Sequence, residues 1–389
     1  MQIAIISDYI YGEFISGQAV FARRLIEGLA PRVSKLIVIT TGPKTAVSRQ
    51  GNIVTYCLNG VHLKKFQGAH LTLNPFAVWK RAFRDERVDL VHAQVPTLPA
   101  LVVARHCRKQ GIPLVFSHHV QAENLLKNMN LESPLICKGL TKYGLWVYNH
   151  ADHLIFPSRF ARDELLSYGL RRDLPTSVIS NGVDTSVFSP GDGRKPLVLY
   201  VGRLMREKNI DTLIHASAIV KRRHPEYHFA ICGDGYLKSQ LEELARKVNP
   251  DVLFTGRLSD EELVNMYRAA RIFVLPSEFE LQGIVLLEAM ACGAVTVVSD
   301  APTSAAGELA NRLFSNRDPA DLAEHINSLI ENPSALKRLG EENRRRTVNE
   351  HDFAGIVDRH LKVYADLLRA KKASPAATAH PPFRGEASS

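Results

Sequence analysis

A chain of 389 residues is longer than one hydrophobic core ordinarily serves, so two domains are expected. With 45% hydrophobic and 23% charged residues it has the composition of a soluble globular protein, and no run approaches the roughly 20 apolar residues of a membrane-crossing helix. The net charge of +9 is uneven: residues 1–180 carry 22 Lys and Arg against 12 Asp and Glu, the remainder 27 against 28.

Strand-like apolar runs alternate with helical periodicity from end to end, the pattern of a doubly wound parallel α/β sheet. In the first half, strands are predicted at 2–7, 35–40, 53–58, 89–94, 113–117, 153–157 and 177–180. Helices are predicted near 18–29, 76–87, 99–110, 133–150 and 159–168. The connection 9–17 is long for a β–α loop and reads as a functional flap, with Gly17 close to a helix N-terminus. No GxGxxG dinucleotide fingerprint forms there.

Around 181–196 the sequence turns to N-G-V-D-T-S-V-F-S-P-G-D-G-R-K-P, which marks a domain boundary. The expected division is 1–182, 183–348, an amphipathic helix over 349–372, and a disordered Ala/Pro/Ser-rich tail over 373–389. In the second domain, strands are predicted at 197–201, 228–232, 252–255, 271–275 and 295–299. Helices are predicted near 210–222, 236–247, 260–270 and 319–332, with another starting at Ile284.

The stretch 276–293, P-S-E-F-E-L-Q-G-I-V-L-L-E-A-M-A-C-G, lies between two of those strands. Gly283 opens its helix, and the backbone N–H groups of Gly283, Ile284 and Val285 have no intrahelical acceptor and favour an anion such as a phosphate. Glu280 and Glu288 repel phosphate, so they are expected to accept hydrogen bonds from sugar or ribose hydroxyls. The strand 197–201 runs into Gly202-Arg203, with Lys208 five residues on, a plausible diphosphate clamp. Gly233-Asp234-Gly235 and Gly256-Arg257 close the next two strands, where ligands of open α/β sheets gather.

These segments together resemble the retaining glycosyltransferases of family 4. The carrying motifs are Glu280, seven residues, Glu288 and A-M-A-C-G; G-R-L-x-x-E-K-N over 202–209; the G-x-G loop; and N-G-V-D followed by Phe188. The resemblance implies the GT-B fold, two Rossmann-like domains facing each other across a cleft, with the C-terminal helix crossing back to the first. It implies that Arg203 and Lys208 stabilise the leaving diphosphate, and that Gly17, Gly202, Gly233, Gly235, Arg257, Glu280, Gln282, Gly283, Ile284, Val285 and Glu288 surround the donor. His119 is placed opposite the transferred sugar, after Ser117 in a T-x-H-like pattern. With His119, Arg203, Lys208 and Glu280 as the catalytic set, His118, Glu123 and Asn124 are candidates for acceptor contacts, and His92 and Gln94 are weaker ones.

Glu280-Leu281-Gln282-Gly283, where many members read E-G-F-G, resembles the glycolipid-forming members, including diacylglycerol glucosyltransferases. The expected reaction is hexosyl transfer from a nucleoside-diphosphate sugar, UDP-glucose or a related hexose donor, to a membrane lipid. A cell-surface saccharide is the alternative acceptor, and a GT-B isomerase or phosphorylase the alternative chemistry. No D-x-D occurs, so no metal and no cofactor is expected. Five scattered cysteines without CxxC spacing, and an opening that is already strand-like, place the chain in the cytoplasm with reduced thiols. The basic first half and the Leu/Trp/Lys-rich stretch 124–150 point to a peripheral site on an anionic membrane, with no nucleic-acid partner.

Overall fold

The computed structural model describes residues 1–7, 10, 17–63, 69–72, 82–128 and 133–373. The first sheet holds β1 (Gln2–Ile6), β2 (Lys35–Gly42), β3 (Ala46–Gln50), β4 (Ile53–Leu63), β5 (Ala69–Thr72), β6 (Leu90–Ala93), β7 (Leu114–Ser117), β8 (His153–Phe156) and β9 (Thr176–Val178). Their order is β3-β4-β2-β1-β6-β7-β8-β9, with β5 beside β4. All pairings are parallel except those of β3 and β5 with β4. The second sheet is wholly parallel, in the order β12-β11-β10-β13-β14-β15. Its strands are β10 (Leu197–Val201), β11 (His228–Cys232), β12 (Val252–Gly256), β13 (Ile272–Leu275), β14 (Val295–Ser299) and β15 (Arg312–Phe314).

Helices α1 (Gly17–Leu29), α2 (Leu98–Gln110), α3 (Ala122–Asn128), α4 (Pro134–Tyr148) and α5 (Arg159–Ser167) belong to the first half. The second half holds α6 (Ile210–Arg223), α7 (Lys238–Val248), α8 (Asp260–Ala269), α9 (Ile284–Ala291), α10 (Pro319–Ile330) and α11 (Pro333–Glu350), and α12 (Phe353–Ala373) follows. Helices on both faces explain why the central strands are continuous apolar runs. Within β1, Ile3 and Ile5 enter one buried cluster while Ala4 and Ile6 enter the other. The strand order reverses between β1 and β6 and again between β10 and β13, and such switch points are where open α/β sheets take ligands.

The sequence reading missed several elements. β3 forms an antiparallel hairpin with β4 around Gly51, which has φ +58°, and its residues are almost all exposed, so no apolar run marks it. The helix predicted over 349–372 begins later, at Phe353, and runs unbroken to Ala373. Residues 349 and 350 end α11, Asp352 forms a bridge with Val183, and α12 starts at Phe353. The break is stabilised locally: Val183 N–H donates to the His351 carbonyl at 2.9 Å, and Asp352 accepts from Ala354 N–H at 3.2 Å.

From that break α12 runs back to the first sheet. Ile356, Val357, Val363 and Tyr364 join the buried cluster of Phe21 and Leu25, at roughly 1.5–3 kcal/mol for each buried aliphatic side chain. Helices α1 and α12 touch closely enough that a Cβ at Gly28 would lie 2.6 Å from Val357 Cγ2. The flap residues 11–16, residues 76–81 of the helix predicted at 76–87, residues 129–132 and the tail 374–389 lie outside the described residues.

Candidate active site

At the C-terminal edge of the second sheet, three loops are laced by backbone hydrogen bonds. Gly202 N–H donates to the Cys232 carbonyl at 3.0 Å, Gly233 N–H to Gly256 at 2.9 Å, and Leu204 N–H to Asp234 at 2.9 Å. The lacing requires glycine at 233, where a Cβ would lie 1.9 Å from the Gly202 oxygen. Arg203 follows, its Nη2 3.3 Å from Oε1 of the fully buried Glu207. A single turn then carries Lys208, and Asn209, at φ +44°, ends it by donating to the Pro276 carbonyl at 3.3 Å. Lys208 is thereby aimed at the neighbouring strand end, where its Nζ lies 2.5 Å from Glu280 Oε1. Glu280 is itself held by its backbone, its carbonyl accepting from Ala305 N–H at 2.7 Å.

Gly283 caps α9 at φ +83°, a conformation that glycine adopts without strain, and so aims the first turn, Ile284 and Val285, at the cleft. One turn later Glu288 is buried. Its Oε1 accepts from Arg24 Nη2 at 3.0 Å, and its Oε2 accepts from the Tyr267 hydroxyl at 2.9 Å. Burial pushes the Glu288 carboxyl upward, and the Arg24 guanidinium and Tyr267 hydroxyl act against that rise. Gln282, expected to contact the donor, lines the cleft while its side-chain amide is engaged elsewhere. Its Oε1 accepts from Asn181 N–H at 2.7 Å and its Nε2 donates to Ser180 Oγ at 2.9 Å, so the amide fastens the connecting segment between the sheets.

On the facing edge, the loop after β7 carries both histidines. His119 Nε2 is 3.2 Å from Gln94 Oε1, with its ring 5.0 Å from that of Phe21. His118 turns the other way, its Nδ1 3.1 Å from the Tyr148 hydroxyl. Burial lowers both imidazoles to about 3, so both are neutral near pH 7. Behind them, the buried His92 joins the Tyr364 hydroxyl (2.6 Å) to Ser117 Oγ (2.8 Å), which ties α12 to this edge. Glu123 and Asn124 lie on α3, at the mouth of the same cleft.

The cleft between the two edges has a volume of about 2260 Å³ and is lined by every donor-facing residue singled out above, from Gly17 and Arg257 to Glu288, and by His118, His119, Glu123 and Asn124; the weaker acceptor candidates His92 and Gln94 are fully buried and do not line it. Side chains also cross between the halves: besides Arg24 and Glu288, Lys127 Nζ meets Glu278 Oε2 at 2.5 Å, and Phe160 N–H donates to Glu308 at 2.7 Å. Arg24 and Tyr267 escaped the sequence reading, since nothing in their neighbourhoods marks them and their meeting with Glu288 is purely tertiary. Among the described residues, no group of three or more His, Cys, Asp or Glu side chains is placed to hold a metal ion. No helix among them is long and apolar enough to cross a membrane.

Comparison with known proteins agrees with this geometry. Residues 15–187 match the sequence profile of "Glycosyltransferase Family 4", and residues 185–346 that of "Glycosyl transferases group 1". A glycogen synthase of Mycobacterium tuberculosis is 29% identical over 306 residues, covering 74% of this chain and 71% of its own. An alpha-monoglucosyldiacylglycerol synthase of Streptococcus pneumoniae is 25% identical over 322 residues, covering 78% and 72%. The Anabaena protein HepE, solved with UDP-glucose, superposes with a TM-score of 0.73 at 20% identity, over 94% of this chain and all (100%) of its own. With the two halves matched in turn and their sheets facing across one cleft, the chain belongs to the glycosyltransferases of the GT-B fold.

Proposed function

We propose that this glycosyltransferase moves a hexosyl group, with retention at the anomeric carbon and without a metal, from a nucleoside-diphosphate sugar such as UDP-glucose to a lipid acceptor such as diacylglycerol on an anionic membrane. The observation that carries the acceptor reading is the two-faced helix α4. One face, with Leu140, Tyr143, Gly144 and Tyr148, lines the cleft. The other presents Leu135 (83% exposed) and Trp146 (36%) beside the exposed Lys138 and Lys142, and Ile136 (46%) is exposed in the first turn. Apolar and aromatic side chains interleaved with lysines are what a helix lying in a lipid interface needs, and the basic excess of residues 1–180 adds attraction to anionic headgroups. An acceptor held in the bilayer would then enter directly along α4.

In the transfer, the bond from the anomeric carbon to the β-phosphate oxygen breaks and the acceptor hydroxyl oxygen takes its place. The hydroxyl proton leaves with the departing diphosphate. Arg203, Lys208 and the first turn of α9 stabilise the charge that develops on that diphosphate. Glu280 accepts from the sugar hydroxyls and Glu288 from the nucleotide ribose, while the neutral His119 faces the sugar from the acceptor side. The glucolipid-forming relative and the UDP-glucose complex of HepE support the donor and acceptor classes.

The test is transfer from UDP-glucose to diacylglycerol in vesicles with and without anionic lipid, with the anomeric configuration of the product read by proton coupling. An α-glucolipid formed faster on anionic vesicles and suppressed by salt is expected. Transfer only to soluble oligosaccharides, indifferent to vesicles, would remove the lipid acceptor.

A further inference from the structure

The donor side of a cleft enzyme need not be built by one half alone, and here the first half reaches into it. Arg24 lies on α1 one turn before Gly28, where α1 is pressed against α12, and its side chain extends across the cleft to Glu288. The guanidinium carbon also lies 5.9 Å from the Phe188 ring centroid, a cation–π contact with the connecting segment. Only part of its donor capacity is used: Nη2 donates to Glu288, while Nη1 is buried and has no hydrogen-bond partner among the described residues. Glu288 in turn accepts from Arg24 and Tyr267, and two carboxylate oxygens offer about four acceptor positions, so two remain. A buried N–H without an acceptor, set beside a carboxylate with spare acceptor capacity, is complementary to a group that both donates and accepts. A vicinal diol is such a group.

We infer that Arg24 and Glu288 form a two-part reader for the ribose diol of the nucleoside-diphosphate donor, Arg24 Nη1 donating to one ribose oxygen while Glu288 accepts from a ribose hydroxyl. Arg24 is thus a specificity-determining residue supplied by the acceptor half, and the ribose site is complete only when the halves face each other as they do here. This rests on the reading of the cleft as a nucleoside-diphosphate site.

Titration calorimetry of the whole chain with UDP, 2′-deoxy-UDP and 3′-deoxy-UDP tests it without requiring turnover or a known acceptor. Losing a hydrogen bond to a charged group corresponds to roughly a 10- to 100-fold weakening, so the wild type should bind UDP at least about 10-fold more tightly than one of the deoxy analogues. Arg24→Met should weaken UDP by about the same factor and bring the ratio of UDP to that analogue close to one, while the unpaired Glu288 lowers the unfolding midpoint. Arg24→Lys, which keeps a charge for Glu288 but loses the planar fork, should also lose the discrimination and serves if the methionine variant folds poorly. A uniform loss of affinity with the UDP-to-deoxy ratio intact would reduce Arg24 to a structural tie and overturn the inference, as would wild-type UDP affinity in Arg24→Met. Failure of the wild type to bind UDP or any other nucleoside diphosphate would instead overturn the nucleotide-site reading itself, and the inference with it.

Discussion

Lys208 is the residue through which the proposed leaving-group chemistry is most directly open to disproof. Its ammonium sits 2.5 Å from Glu280, and the two side chains are only 12% and 15% exposed, so the pair is shielded from solvent but not sealed. Lys208→Met keeps the length and apolar stem of the side chain and removes the cation. If the ammonium stabilises the departing diphosphate, turnover should fall by roughly 10²–10³-fold, about 2.7–4 kcal/mol of transition-state stabilisation. The same change leaves Glu280 a carboxylate without its partner, which should lower stability by about 1–3 kcal/mol. A second substitution separates the two effects. In Lys208→Met/Glu280→Gln the uncompensated charge is gone, so stability should return to within about 1 kcal/mol of wild type. Turnover should stay low, because neither the missing cation nor the Glu280 carboxylate that accepts from the sugar hydroxyls has been replaced. Steady-state kinetics with kcat and KM resolved, set beside thermal unfolding of the three variants, distinguishes the outcomes. Turnover in Lys208→Met within about 3-fold of wild type, or a rate that recovers together with stability in the double variant, would show that the pair is only structural.

Two further outcomes follow from the same geometry. Transfer should persist in excess EDTA, because Arg203, Lys208 and the α9 turn supply the positive charge; loss of activity restored by Mn²⁺ or Mg²⁺ would refute this. The fold should be acid-labile, because His92, His118 and His360 are buried and their imidazoles are lowered by burial, the latter two to about 3 and about 4. A base whose folded pKa lies below its unfolded value of about 6.5 takes up its proton first in the unfolded chain, so stability is retained above pH 6.5 and falls between pH 6.5 and 4. At pH 5.5 His118 and His360 should each already cost about 1 kcal/mol relative to neutral pH, and denaturant midpoints that stay flat from pH 7 to 5 would contradict it.

Much of this protein was legible in its residues taken in order, because the signals are local. A parallel strand covered on both faces must be a run such as I-F-V-L at 272–275, and a turn that brings one backbone oxygen to within 1.9 Å of a Cβ position must be glycine, as at Gly233. Strand ends, loop glycines and the first turn of α9 are therefore legible in the sequence alone. Where neighbours in the chain supply no apolar signal, as in the exposed hairpin strand β3, the sequence predicts no element, and the start of the C-terminal helix is shifted to Phe353 by the break after α11. The break depends on Val183, a residue remote in sequence that pairs with Asp352.

Partnership was decided only by the tertiary fold. Glu288 reads in sequence as a hydroxyl-sorting carboxylate, but Arg24, which fastens one of its oxygens, lies 264 residues away, and Tyr267, which holds the other, belongs to a different helix. Gln282 has the sequence position of a donor contact, yet its amide is taken by Asn181 and Ser180 because the connecting segment passes beside it. Local periodicity can say which face of an element is apolar. It carries no information about which of many distant polar groups will complete a buried carboxylate or amide, and that choice is made when the two sheets meet across the cleft.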